Sequence, residues 1–199
     1  ERSTPVAMEY AAEGSITPMV ALRTGAWKYI RCPADPDMLF DLAAKEGDPD
    51  AIVRRALDGL KKLEPAPLAT ADWLALIEVA NYDRDLARLG ECDLVIEAIV
   101  ERLDAKHALF RSLETIVSPT SILATNTSSI PVRDIAAGLA HPDRVLALHF
   151  FNPPTAMKLV ELAPHAGTSA TAIATARTLT EAAGKTVIQC PDRPGFIVN

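Results

Sequence analysis

The residues best suited to do chemistry gather in one stretch, residues 121–161. Asn126, Thr127, Ser128 and Ser129 follow the apolar run ILAT. His149 and Asn152 sit in and after the apolar run VLALHFFN, and Glu161 lies within KLVEL. Polar residues at the ends of apolar strands mark the edge where an open α/β sheet binds ligands. An imidazole near a carboxylate is an acid–base pair, because its charge changes near neutral pH and the carboxylate can hold the second ring nitrogen. The pattern predicts a strand, a polar loop, a short helix, a second strand ending in His149 and a third carrying Glu161. Plainer readings stand beside this one. Ser129 can be the N-cap of a helix that Pro131 opens, and a histidine beside an apolar strand can be a satisfied core residue.

The elements that must position these groups need a core. A length of 199 residues accommodates one α/β domain, or one domain with an appendage. Hydrophobic residues are 49% of the chain and aromatics only 5%, with Ala, Leu and Val dominant, which suits helices packed on a parallel sheet. A net charge of −6 without a basic run argues against a nucleic-acid partner. No apolar stretch reaches the roughly 18 residues of a membrane span, and no signal peptide is expected at the start. Cys32, Cys92 and Cys190 are odd in number and lack metal-ligand spacing, so free thiols and a cytoplasmic location are expected. The four histidines do not cluster, and no metal site is expected.

Taken in order, VALRTGAWKYIRC reads as a β-hairpin around Thr24-Gly25, followed by a proline-broken loop and a short strand, MLFDL, that contains Asp41. Residues 50–63 are an amphipathic helix starting after Asp48-Pro49. Lys61 and Lys62 at its end complement the helix dipole. A short strand is expected at 74–80 and a short helix at 82–89, stopped by Gly90. DLVIEA at 93–98 reads as a buried parallel strand, and 104–117 as an amphipathic helix stopped by Pro119. Strands follow at 122–125, 145–149 and 158–162, then an Ala-rich helix at 169–183 capped by Gly184, and a last strand at 185–190.

NTSS, HFFNP, LVE and PGFIVN occur in an order and spacing that resemble the 3-hydroxyacyl-CoA dehydrogenases of fatty-acid β-oxidation. The likeness covers about residues 39–199. It implies a Rossmann-like α/β fold, NAD as cofactor, an acyl-CoA substrate and a possible homo-oligomer. By this resemblance His149 is the base that takes the proton of the C3 hydroxyl. Glu161 orients its ring, and Ser128 and Asn199 position the substrate oxygen. Asp41, Glu101, Lys106, Ser128 and Asn152 fall at positions that contact the cofactor. Lys61 or Lys62 would face the phosphates of coenzyme A.

One motif of such a cofactor site is missing. The nine glycines never form G-x-G-x-x-G, the loop that lets backbone and a helix N-terminus approach the pyrophosphate. Nor can residues 27–32 replace the strand that carries it: only residues 33–37 separate them from MLFDL, too few for a parallel crossover. The expected architecture is therefore an α/β, Rossmann-like parallel sheet lacking the usual first strand and glycine loop, with an N-terminal β-hairpin extension. The expected division is a hairpin segment at 1–38, a Rossmann-like domain at 39–190, and at 191–199 the start of a helical C-terminal domain. Residues 1–43 resemble the C-terminal region of type I sulfatases, choline sulfatases in particular, through WKYI and LFDL, without the Cys-x-Pro-x-Arg motif of sulfate-ester chemistry. Two functions follow: an NAD-dependent 3-hydroxyacyl-CoA dehydrogenase impaired in this chain, or a non-catalytic chimera of sulfatase-derived and dehydrogenase-derived segments.

Overall fold

The computed structural model describes residues 19–22, 28–30, 86–99, 101–151, 154 and 157–198. The expected helix at 50–63 with Lys61 and Lys62, the strand at 74–80, and Asp41, Asn152 and Asn199 lie outside these residues. So does MLFDL, and with it the pairing of that strand with residues 27–32.

The described strands form one sheet in the order β2-β1-β3-β4-β5-β6-β7. They are β1 (Met19–Leu22), β2 (Lys28–Ile30), β3 (Leu94–Glu97), β4 (Ile122–Thr125), β5 (Val145–Phe150), β6 (Leu159–Pro164) and β7 (Thr186–Gln189). The sheet is mixed. β3, β4 and β5 run parallel, as do β6 and β7. β5 and β6 are antiparallel, and so are β1 with β2 and β1 with β3. The expected hairpin is present, and its first strand is built into the sheet beside β3. The short helix expected at 82–89 is a 3-10 helix at Leu86–Glu91, and Gly90 lies within it.

Helix α1 (Leu103–Glu114) makes the crossover from β3 to β4. It buries Lys106, Leu109, Phe110 and Leu113, a helical stripe of one face. Helix α2 (Val132–Ala136) follows β4, and α3 (Ala170–Ala182) crosses from β6 to β7. Ser169 caps α3 by accepting the Ala172 N–H at 3.2 Å. Gly184 follows it at φ 77°, as a helix C-terminus favours.

Side-chain alternation along the strands fills two cores. Val95, Leu123, Ala147 and Ala163 face α1 and α2, with Phe110, Leu113, Val132 and Ile135. Leu94, Ile96, Leu146, Leu148, Val160 and Leu162 face α3, with Ala172 and Ala176. Both faces are thus covered, which is why β3, β4 and most of β5 are buried without a polar face. Each fully buried Leu or Phe contributes about 1.5–3 kcal/mol relative to exposure.

Candidate active site

His149 and Glu161 are direct cross-strand partners in the antiparallel β5–β6 pair. That register places both side chains on one face, and His149 Nδ1 lies 2.8 Å from Glu161 Oε2. His149 is 5% exposed and Glu161 fully buried. Glu161 Oε1 accepts the N–H groups of Ile197 and Val198 at 3.0 and 3.2 Å. A buried charge needs such partners. With the carboxylate ionised, Nδ1 carries the proton and Nε2 the basic lone pair. Phe151 and Phe196 pack beside the imidazole at centroid distances of 4.9 and 5.7 Å. Burial and the Glu161 charge push the Cys190 thiol up to about 11.

The second cluster lies at the ends of β3 and β4. Glu97 pairs with Thr125 in register, and Thr125 pairs with Ala147, two residues before His149. Both clusters therefore share one edge of the sheet, the edge at which the parallel strands end. Asn126 stitches that edge together: its N–H donates to Glu97 O at 2.7 Å, and its Oδ1 accepts the Phe150 N–H at 2.9 Å.

Glu101 clamps the loop that follows. One carboxylate oxygen, Oε1, accepts Thr127 Oγ1 at 2.5 Å, and the Ser128 N–H, Ser129 N–H and Ser129 Oγ at 3.0 Å each. The other, Oε2, lies 3.3 Å from Lys106 Nζ. Burial pushes the Glu101 carboxyl up. The Lys106 ammonium and the hydrogen bonds from Thr127 and Ser129 outweigh it and hold the group below the usual carboxylate range. Lys106 is 1% exposed and donates to Glu97 Oε1 at 2.7 Å, while Thr125 Oγ1 donates to Glu97 Oε2 at 2.8 Å.

Of the residues named from sequence, the structure brings together His149 with Glu161, and Glu101 with Lys106 and Ser128. Ser129 does not cap α2. Its hydroxyl is held by Glu101, and Pro131 occupies the cap position. The cap comes from Asp192, whose carboxylate accepts the Val132 and Arg133 N–H groups at 2.6 and 3.0 Å. The sequence names Thr127 in the polar loop and Phe196 within PGFIVN, without a role for either, whereas Glu97, Thr125 and Asp192 are not singled out from sequence. Glu97 alone left a signal, as a carboxylate inside an apolar strand.

Residues 43–193 match the family described as "3-hydroxyacyl-CoA dehydrogenase, NAD binding domain". The chain belongs to the 3-hydroxyacyl-CoA dehydrogenase family. It is 47% identical over 167 residues to the 3-hydroxyadipyl-CoA dehydrogenase of Escherichia coli, covering 81% of this chain and 34% of that protein. It is 39% identical over 168 residues to a protein of Rickettsia felis named as a fatty acid oxidation complex trifunctional enzyme, covering 81% of this chain and 23% of that one. The solved 3-hydroxybutyryl-CoA dehydrogenase of Escherichia coli superposes with a TM-score of 0.66 at 39% identity, over 73% of this chain and 32% of that one. The (S)-3-hydroxybutyryl-CoA dehydrogenase of Ralstonia eutropha does so at 0.65 and 31%, over 87% and 58%. The chain thus spans about a quarter of one curated relative and about a third of the other. The sulfatase likeness and the chimeric joint receive no support from these comparisons.

The matched family is one of NAD-binding domains, which implies NAD as the cofactor. Glu101 and Ser128 lie in the loops that follow β3 and β4. The place beside β3 is taken by β1, which runs antiparallel with Val20 opposite Ile96 and Leu22 opposite Leu94. β1 therefore ends, at Leu22, on the opposite side of the sheet from Glu97 and Thr125, and no G-x-G-x-x-G occurs in the 199 residues. No helix among the described residues is long and apolar enough to cross a membrane, and no group of three or more metal-ligating side chains occurs among them.

Proposed function

We propose that this chain carries the proton-transfer machinery of a 3-hydroxyacyl-CoA dehydrogenase, with impaired NAD binding. The observation that carries the reading is the buried His149–Glu161 pair at 2.8 Å in a chain of this family. His149 Nε2 takes the proton from the C3 hydroxyl of a 3-hydroxyacyl-CoA and returns it in the reverse direction. Glu161 holds the tautomer that leaves Nε2 basic and balances the imidazolium once it forms. Ser128 and Asn199 position the oxygen. Glu101, held by Lys106, orders the Thr127–Ser129 backbone around that position, and Asp41 and Asn152 complete the cofactor side. NAD, when bound, supplies the hydride acceptor. In the domain division that accompanies this reading, residues 39–190 bind the cofactor and 191–199 lead into a helical domain.

A second reading has an observation of its own. An antiparallel β1 beside β3, together with the missing glycine loop, favours a chain whose proton-transfer groups are in place while the cofactor does not bind. Fluorescence titration of the purified chain with NADH, followed by acetoacetyl-CoA, separates the two. Saturable binding and NADH oxidation that disappears in His149→Asn supports the dehydrogenase. No binding up to about 1 mM NADH, the level at which only about 4 kcal/mol of affinity is needed, overturns it.

A further inference from the structure

The segment leaving β7 carries a backbone conformation that its residue types do not favour. Phe196 has φ 48°, the left-handed region, and is the one non-glycine residue found there among the described residues. In that region the Cβ of an L-residue crowds the neighbouring carbonyl, so a bulky side chain is an outlier. Such strain persists only where the surroundings over-determine it, and it concentrates at functional sites.

Three sets of contacts hold Phe196. Its N–H donates to Arg193 O at 3.0 Å, closing a turn through Gly195 at φ 76°. Its ring is buried and lies 5.7 Å from the His149 imidazole, tilted by 49°. The next two N–H groups both reach Glu161 Oε1. The Ile197 and Val198 side chains are 58% and 56% exposed, so their burial does not impose the conformation. What the turn accomplishes is the placement of one ring and two amides on the His149–Glu161 pair.

We propose that Phe196 is a positioning residue for His149. Its left-handed turn brings the ring against the imidazole and aims the Ile197 and Val198 amides at the Glu161 oxygen that His149 does not use. Glu161 is then held from both sides, and a rotation that lengthened its bond to Nδ1 would also break the two amide bonds. The inference rests on the reading of His149 as the base, but its geometry can be tested without turnover.

The test is NMR of the full chain with labelled histidine, following the His149 Nδ1–H resonance and its exchange rate, with the thermal midpoint measured alongside. Phe196→Gly relieves the backbone strain and removes the ring; Phe196→Leu keeps apolar bulk on the strained backbone. The Gly variant is expected to exchange Nδ1–H about five- to tenfold faster, the scale of one hydrogen bond, with the Leu variant between it and the parent. A merely structural role would lower the midpoint and leave the His149 resonance and exchange unmoved, and that result overturns the proposal. If the Gly variant does not fold, the Leu variant decides: faster exchange supports positioning, and unchanged exchange overturns it. Faster exchange combined with no NADH oxidation in the parent would sink the dehydrogenase reading and leave this one standing.

Discussion

Glu101 is pulled two ways. Burial opposes its charge, while the Lys106 ammonium and the Thr127–Ser129 donors favour it and win, so its carboxyl titrates below the ordinary 4.5. A carboxyl lowered in the folded state binds fewer protons there than in the unfolded chain. Its stabilising contribution is complete above pH 4.5 and is lost as the pH falls through the lower folded value. The urea midpoint of the parent should therefore fall more steeply with acid in this window than that of Glu101→Gln. Parallel curves for the two proteins would show that Glu101 does not hold the loop. The side chain is 38% exposed, so solvent screening keeps the effect modest. In the sequence only the family likeness singles out Glu101. Nothing local in sequence records that four donors from residues 127–129 converge on one of its oxygens.

At the scale of elements, α2 is the instructive case. A five-residue helix has almost no stability of its own, since nucleation consumes most of its hydrogen bonds. Ser129 stands at a plausible capping distance in the sequence, yet the cap is Asp192, sixty residues away in the chain. Asp192 also holds Arg133, whose guanidinium donates to the Asp192 carbonyl at 2.9 Å. Asp192→Ala should cost about 1–2 kcal/mol by denaturant unfolding, at the upper end for a lost cap. Ser129→Ala should leave the α2 amides as protected from hydrogen exchange as in the parent. Loss of protection in Ser129→Ala instead would restore the local cap. The longer elements were easier to read, because hydrophobic period alone fixes them. The strand expected at 122–125 is β4 as found, and α1, α3, β5 and β7 lie within a few residues of their expected bounds. The antiparallel turn of β6 against β5 was not legible, since strand direction is set by a connection whose path the sequence does not reveal.

At the scale of the whole molecule, the hairpin is part of the sheet. β1 is hydrogen-bonded on both sides, to β2 and to β3, and so shields the edge of the parallel core. A proline at its centre removes a ladder donor and is not tolerated between two strands. Val20→Pro should lower the thermal midpoint and expose the β3 edge, so that the chain associates in light scattering. An unchanged midpoint and a monodisperse chain would show that β1 does not protect that edge. Antiparallel insertion of β1 also ends that strand, at Leu22, on the far side of the sheet from Glu97.

By itself the sequence determined the α/β class, most element positions and the family through four ordered motifs, and it singled out His149 with Glu161 as a candidate acid–base pair. Each of these rests on local period or on residue type at fixed spacing, and neither needs the chain path. The tertiary structure alone decided that β1 fills the place beside β3, that Glu97, Lys106 and Thr125 form one buried network, that Asp192 caps α2, and that Phe196 and two backbone amides hold the dyad. These are contacts between segments distant in the chain. They depend on strand direction and backbone dihedrals, which composition and periodicity do not encode.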